Sequence, residues 1–311
     1  MNRSIDSAKI GLALGSGASR GWSHIGVVKG LLEAGIEPDI VCGTSVGAMV
    51  GGSYLAGNLG KLENWVLGSS RSDVLRFFSF RLANSAFVDI ERLNWFLHNF
   101  VAAPDVLIEA LCKPYAAVCT DLESGREVLL REGVVADAVR ASMAMPGLFP
   151  AERKNEMWLV DGGLINPVPV TACRALGADV VIAVNLNSDF LSRRQDRIRM
   201  KPTEFADGNL GNLQKQVRKY SNRLSNHDEE ATGKTPGLFS TISNTINIFQ
   251  DQITRSRLEA DPADVLIEPK VGDIGMFDFQ RAGDAISEGR ECVKRAMPDI
   301  RRHILASCST P

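Results

Sequence analysis

The residues of this chain whose types and spacing suggest chemistry most directly are Gly43-Thr44-Ser45-Val46-Gly47, a serine between two glycines straight after the apolar run Ile40-Val41-Cys42. A serine held on a sharp turn between strand and helix needs neighbours without side chains wherever backbone crowds backbone, and Gly43 and Gly47 meet that need. Val46 to Ala56 are mostly apolar residues or good helix formers, and Gly57 stands where a C-terminal cap would, so Ser45 is expected at a helix N-terminus. There the positive end of the helix dipole and the unpaired N–H groups favour the alkoxide left when the hydroxyl loses its proton. The chemistry would be nucleophilic attack by Ser45. The same pentapeptide also fits a glycine-rich turn around an inert serine, and alone it does not separate the two.

Two further stretches carry polar groups to strand ends. Lys9 to Leu14 reads as a short buried strand, followed by Gly15-Ser16-Gly17-Ala18-Ser19-Arg20-Gly21 and a helical stretch from Trp22 to Ala34 closed by Gly35. A glycine-rich loop between strand and helix turns backbone N–H groups toward an anion, whether phosphate or oxyanion. A dinucleotide is the competing ligand, with Asp39 as the ribose partner, although glycines at 15, 17 and 21 are one residue too widely spaced for that fingerprint. A Walker loop is excluded because no Gly-Lys-Ser/Thr follows. Farther on, Trp158-Leu159-Val160 delivers Asp161 to Gly162-Gly163, a carboxylate at a strand end beside residues that permit close approach.

The elements that must position these groups alternate. Strand, helix, strand and helix over the first 57 residues require a parallel sheet with helices on its faces. Tyr115 to Thr120 and Glu127 to Leu130 read as a hairpin around Asp121 to Gly125, Val134 to Met143 as a helix, Asp179 to Asn185 and Ala263 to Ile267 as strands, and Asp278 to Arg302 as a closing helix. Lys61 to Pro104 is helical and concentrates Phe77, Phe78, Phe80, Phe87, Trp95, Phe96 and Phe100; most of these suit a core, but Phe77 and Phe78 cannot share one helix face, which leaves one for an acyl-sized channel or a bilayer. Arg193 to Lys234 is polar, with ten Lys or Arg against six Asp or Glu, and reads as a mobile insertion over the rim of the domain. Phe239, Ile242, Ile246, Phe249 and Ile253 are spaced as one helical stripe, expected to bury against the protein's own core or a second copy.

Composition sets limits. The chain has 311 residues with 44% apolar content, enough for a substantial core, and a net charge of −2 that gives no reason to expect nucleic acid as a partner. Six cysteines without a CxxC pair, and four histidines, make a structural metal site improbable and point to a reducing cytoplasm. Met1 to Lys9 lacks an apolar segment of the secretory type. Ile40 to Gly60 is uncharged, but its glycine, serine and asparagine content suits a buried strand and helix rather than a membrane span.

In order and spacing, Gly15 to Gly21 with Arg20, His24-Ile25-Gly26-Val27, Gly43 to Gly47, Ala141-Ser142-Met143-Ala144-Met145-Pro146, and Asp161-Gly162-Gly163 about 115 residues after the serine resemble the patatin-like phospholipase family. The likeness runs from Lys9 to about Asn187 and is nearest to small bacterial members related to the neuropathy target esterase catalytic domain. It implies a three-layer α/β/α fold with a mostly parallel sheet, here one domain over residues 9–302 with 191–236 as the insertion. It implies a Ser-Asp dyad, with Ser45 as nucleophile and Asp161 as proton acceptor, and an oxyanion hole made by the N–H groups of Ser16, Gly17 and Ala18, with Arg20 supporting the loop or attracting a lipid phosphate. Gly15, Gly21, Gly43, Gly47, Gly162 and Gly163 are the motif glycines; Ser16 and Ala18 occupy places where the family usually has glycine. The implied substrate is a phospholipid, lysophospholipid or other acyl ester, cleaved without cofactor or metal by a cytoplasmic protein that meets the inner membrane face peripherally, as monomer or homo-oligomer. The alternatives are a non-catalytic signalling or adaptor protein on the same fold, and an NAD(P)-dependent oxidoreductase.

Overall fold

The computed structural model describes residues 8–69, 90–188 and 238–307. In chain order the elements are β1 (Ile10–Leu14), α1 (Ser23–Glu33), β2 (Ile40–Thr44), α2 (Val46–Leu55), α3 (Leu59–Gly68), α4 (Ile90–Phe96), β3 (Tyr115–Asp121), β4 (Glu127–Leu130), α5 (Val135–Ser142), β5 (Glu152–Lys154), β6 (Met157–Asp161), α6 (Val170–Ala175), β7 (Val180–Val184), α7 (Leu238–Ala260), β8 (Val265–Ile267) and α8 (Ala282–Ser307). Strands β3, β2, β1, β7 and β8 pair side by side in parallel. Their side chains alternate between two buried faces, as the period of two requires. Leu12, Leu14, Val41, Ala117, Cys119, Ile182 and Val184 join one core with residues of α1, α2 and α8, while Ala13, Cys42, Ala116, Val118, Val181 and Ala183 join another with Val170, Ala172 and Cys173 of α6. Helices therefore cover both faces of a mostly parallel sheet, the expected three layers. Among the described strands only β5 has no counterpart in the sequence pattern, because its residues Glu152, Arg153 and Lys154 are all charged and show no apolar period.

Strand β3 explains how distant parts of the chain come together. Val118 pairs with both Thr44 and Leu129, and Cys119 with both Val128 and Asp161. A strand has two edges, so β4 fills one along its whole length and β2 and β6 share the other. Strand β2 leaves that edge after Thr44, and antiparallel β6 occupies the next position with Asp161. The residue after Thr44 is Ser45.

Three expectations meet different outcomes. The α7 stripe is not the buried face along its described side chains: Asn247, Gln250, Asp251 and Thr254 are buried, whereas Ile246 and Ile253 are half-buried and Phe249 is 60% exposed. The cause is what α7 covers, since its inner face meets the polar turns at the ends of β1 and β6, where amide and hydroxyl groups find partners that apolar ones would not. Asp39 lies at the start of β2 and its carboxylate accepts the Ile10 N–H at 2.8 Å. The glycine loop follows the far end of parallel β1, about 15 Å away along the strands, so Asp39 cannot serve a dinucleotide bound at that loop, and the oxidoreductase alternative loses its acidic partner. The Phe77 to Phe80 cluster and the polar insertion lie outside the described residues.

Helices α1 and α8 cross so closely that a Cβ on Gly26 would strike the Ile286 carbonyl and one on Gly289 the Ser23 carbonyl. This contact holds the start of α1, and with it the glycine loop just before it. Gly289→Ala gains up to about 1 kcal/mol of helix propensity but forces backbone apart in a packed interface, at a cost of about 1–3 kcal/mol. The variant should therefore unfold at lower urea concentration than the parent; an unchanged or higher midpoint would contradict the contact.

Candidate active site

Ser45 sits between β2 and α2 at φ 57° and ψ −120°, a conformation that L-residues rarely adopt. Two packing constraints impose it. A Cβ on Gly43 would meet the Gly47 carbonyl and the Ala48 nitrogen, and one on Gly47 would meet the Leu14 carbonyl, so the turn closes only on bare backbone. The strain, about 1–3 kcal/mol for such a residue, is held by Ser142 at the end of α5: the Ser45 N–H donates to Ser142 Oγ at 2.9 Å, and the Ser142 hydroxyl donates to the Val118 carbonyl at 2.6 Å. Ser142 thus ties the elbow to β3. Gly57 closes α2 with φ 75°, as the sequence predicts.

Asp161 is the last residue of β6 and is fully buried. Its Oδ2 accepts the Ser45 hydroxyl at 2.6 Å, and its Oδ1 accepts the Gly163 N–H at 2.7 Å. Gly162 is bare because a Cβ there would strike the Val118 carbonyl. Burial pushes the Asp161 carboxyl up to about 6, against the downward pull of the Ser45 and Gly163 hydrogen bonds. It is a carboxylate at neutral pH whose appetite for a proton is raised.

The glycine loop lies against the elbow; a Cβ on Gly21 would run into Val46. Its backbone is anchored at several points. Gly15 N–H donates to the Val184 carbonyl at 3.1 Å, Ser16 N–H to the Pro167 carbonyl at 2.8 Å, and Ser19 N–H to the Met276 carbonyl at 3.3 Å. Ser16 therefore differs from expectation: its N–H is engaged, and the loop N–H groups left without an acceptor among the described residues are those of Gly17 and Ala18. Ala18 takes φ 49°, where its small Cβ is tolerated in the left-handed region. Arg20 is 1% exposed; its Nη2 donates to Asn247 Oδ1 at 2.7 Å and its Nε to the Gly17 carbonyl at 3.3 Å, so it braces the loop against α7. Burial lowers its guanidinium to about 10, still cationic at neutral pH. His24 is buried and lowered to about 4 by desolvation, partly offset by its hydrogen bond to Gly15. It is neutral, and its Nε2 lies 2.7 Å from the Gly15 carbonyl, which makes that nitrogen the protonated one.

Ser45, Asp161, Ser16, Gly17, Ala18 and Arg20 all border one open cavity. The remaining walls are almost wholly apolar, with Trp22, Trp65, Phe96, Met143, Phe149 and Phe279 among them, and no histidine lines it among the described residues. Of the aromatic cluster, Phe96 faces this cavity and stacks edge-on with Trp65 at 4.8 Å, while Trp95 is 54% exposed. The residues that sequence reasoning missed are Asn247 and Gln250 of α7, the first holding Arg20 and the second lining the cavity beside Gly163. Both read as the solvent face of an amphipathic helix, and no spacing rule distinguishes a polar side chain in water from one that meets a buried arginine.

Comparison with known proteins shows the family of the chain. The family model described as patatin-like phospholipase matches residues 12–174, from β1 through α6. An NTE family protein of Mycobacterium tuberculosis, itself termed uncharacterized, is 29% identical over 336 aligned residues covering 95% of this chain and 93% of its own. Patatin-like phospholipase domain-containing protein 6 of Mus musculus is 33% identical over 194 residues, 60% of this chain but 14% of its own. Among solved structures, VipD from Legionella pneumophila aligns with 96% of this chain and 79% of its own at 14% identity and a TM-score of 0.37. With a family match over more than half its length that takes in the glycine loop, the Ser45 elbow and the Asp161 turn, the chain belongs to the patatin-like phospholipase family.

Proposed function

We propose that this member of a lipid acyl hydrolase family cleaves carboxylic esters of phospholipid or lysophospholipid type through a Ser45–Asp161 dyad. The observation that carries the proposal is the 2.6 Å hydrogen bond from the Ser45 hydroxyl to a buried carboxylate at the edge of an apolar cavity that no histidine lines among the described residues. Ser45 Oγ attacks the ester carbonyl carbon and passes its proton to Asp161 Oδ2. The carbonyl oxygen, now an anion, takes hydrogen bonds from the Gly17 and Ala18 N–H groups, which are rigidly held and need no reorganisation. Collapse of the tetrahedral intermediate breaks the bond to the leaving alcohol, which receives the proton from Asp161 and departs, leaving an acyl-Ser45 ester. Water then attacks that ester, gives a proton to Asp161, and collapse returns the proton to Ser45 Oγ as the fatty acid leaves.

The elevated Asp161 carboxyl suits both halves of the cycle, because an ordinary carboxylate would be too weak a base for a serine hydroxyl. The cavity wall fits an acyl chain, since its aromatic and methionine side chains offer dispersion contacts and few hydrogen bonds. The head group would then lie toward the mouth.

Three outcomes test the proposal. Ser45→Ala should abolish both turnover of long-chain p-nitrophenyl esters and labelling by a fluorophosphonate probe. Asp161→Asn keeps the shape and removes the base, so kcat should drop on the order of 10²–10⁴-fold; near-parental turnover would sink the dyad, and a parent protein inert toward every ester and probe would favour the adaptor alternative. The third outcome is pH-dependent. Activity needs Asp161 ionised, so kcat/KM should fall as pH drops through about 6. Because the folded value lies above the ordinary 3.8, the stability contribution of Asp161 is complete below the ordinary value and is lost as pH rises through the folded one. Thermal melts of Asp161→Asn and parent should accordingly differ in favour of the variant at pH 8 and converge near pH 4.

A further inference from the structure

The Ser16 side chain has a property that the dyad and the backbone N–H groups leave unexplained. Ser16 is 2% exposed, borders the cavity together with Ser45 and Asp161, and its hydroxyl has no hydrogen-bond partner among the described residues. A buried hydroxyl left unpaired is costly, and native structures rarely retain one without use. The obvious local acceptors are already committed. Asp161 receives Ser45 and Gly163 on its two oxygens, and the Pro167 carbonyl receives the Ser16 N–H. That last bond also fixes the Ser16 backbone, so the residue can act on a bound molecule through its side chain and not through its N–H.

The surroundings limit what the hydroxyl can meet. A Cβ on Gly163 would lie 2.9 Å from Asp161 Oδ1 and 3.3 Å from Ser16 Cβ, which sets the Ser16 side chain beside the turn that carries the proton acceptor. On its other side Ser16 is bonded directly to Gly17, whose N–H, like that of Ala18, has no acceptor among the described residues. Ser16, Gly17 and Ala18 thus border the same cavity as the nucleophile. The group that arrives there is the ester carbonyl oxygen, which can only accept hydrogen bonds and becomes fully anionic on attack, when hydroxyl donors bind it most strongly.

Resting on the dyad proposal above, we propose that the Ser16 hydroxyl is a catalytic residue of this chain, the third donor to the oxyanion alongside the Gly17 and Ala18 N–H groups. A glycine in its place would leave two donors. The contact strengthens as charge develops on the oxygen, so it acts on the transition state more than on the bound substrate. Because the same oxygen becomes anionic during acylation and again during hydrolysis of the acyl-enzyme, the hydroxyl serves both steps.

The test is pre-steady-state hydrolysis of a long-chain p-nitrophenyl ester by the full chain, comparing parent, Ser16→Ala and Ser16→Gly, with fluorophosphonate labelling of Ser45 and a thermal melt for each. Both variants should melt with the parent and show the p-nitrophenol burst and the steady-state rate slowed together, on the order of 10- to 100-fold, with KM little changed. Burst and steady-state rates equal to those of the parent in both variants would overturn the Ser16 role and leave the dyad standing. A normal burst followed by a slowed steady state would also overturn it, because the hydroxyl would then be holding the attacking water. A parent protein that shows neither Ser45-dependent turnover nor labelling would overturn the dyad itself.

Discussion

The site depends on the sharing of one strand edge. Opposite Val118 stands Thr44, and opposite Cys119 stands Asp161. Because β2 turns off that edge and β6 takes it over, the chain's next residue after β2 and the last residue of β6 are forced into contact, and the 2.6 Å bond between Ser45 and Asp161 follows from backbone pairing before any side-chain preference acts. The turn after Asp161 extends the same lock. Asn166 gives its carbonyl to the Thr44 hydroxyl at 2.9 Å, and Pro167 gives its carbonyl to the Ser16 N–H at 2.8 Å, so one short segment holds the strand before the nucleophile and the glycine loop in a common frame.

That frame holds two unfavourable states. Ser45 is kept at positive φ by glycines that let backbone meet backbone and by the Ser142 hydroxyl on its N–H. Asp161 is kept ionised though fully buried. For Asp161 two effects compete, desolvation raising its affinity for a proton and two hydrogen bonds lowering it, and desolvation is the larger, which leaves the group at about 6, above an ordinary aspartate. A histidine is not needed to bridge serine and acid when the acid itself is this basic and in direct contact. His24, the histidine nearest the glycine loop in sequence, is a neutral support for the Gly15 carbonyl.

Helix α7 is placed to couple these parts to the rest of the chain. It follows the polar stretch in sequence and brings Asn247 to Arg20 and Gln250 to the Asn187 amide, the latter at 3.4 Å. Its inner face is polar because it closes over polar turns, and its outer face keeps the apolar Ile248 and Phe249 at the surface. A helix with this arrangement inverts the usual amphipathic logic, in which burial of the apolar stripe is the driving force.

Much of the molecule was legible in the sequence. The alternation of apolar runs and helical stretches determined the three-layer class, and glycines flanking Ser45, the loop from Gly15 to Gly21 and Asp161-Gly162-Gly163 marked the site, because bare backbone and strand-end polar groups are demands that only particular residue types meet. The tertiary structure decided the rest. Which N–H groups of the loop remain free turned on the Pro167 carbonyl, about 150 residues from Ser16 in the chain, and which face of α7 is buried turned on Arg20 and Asn187. Periodicity reports how a segment divides its own polar and apolar residues. It carries no information on what stands opposite, and hydrogen bonds between segments far apart in sequence are settled only when the sheet brings their ends together.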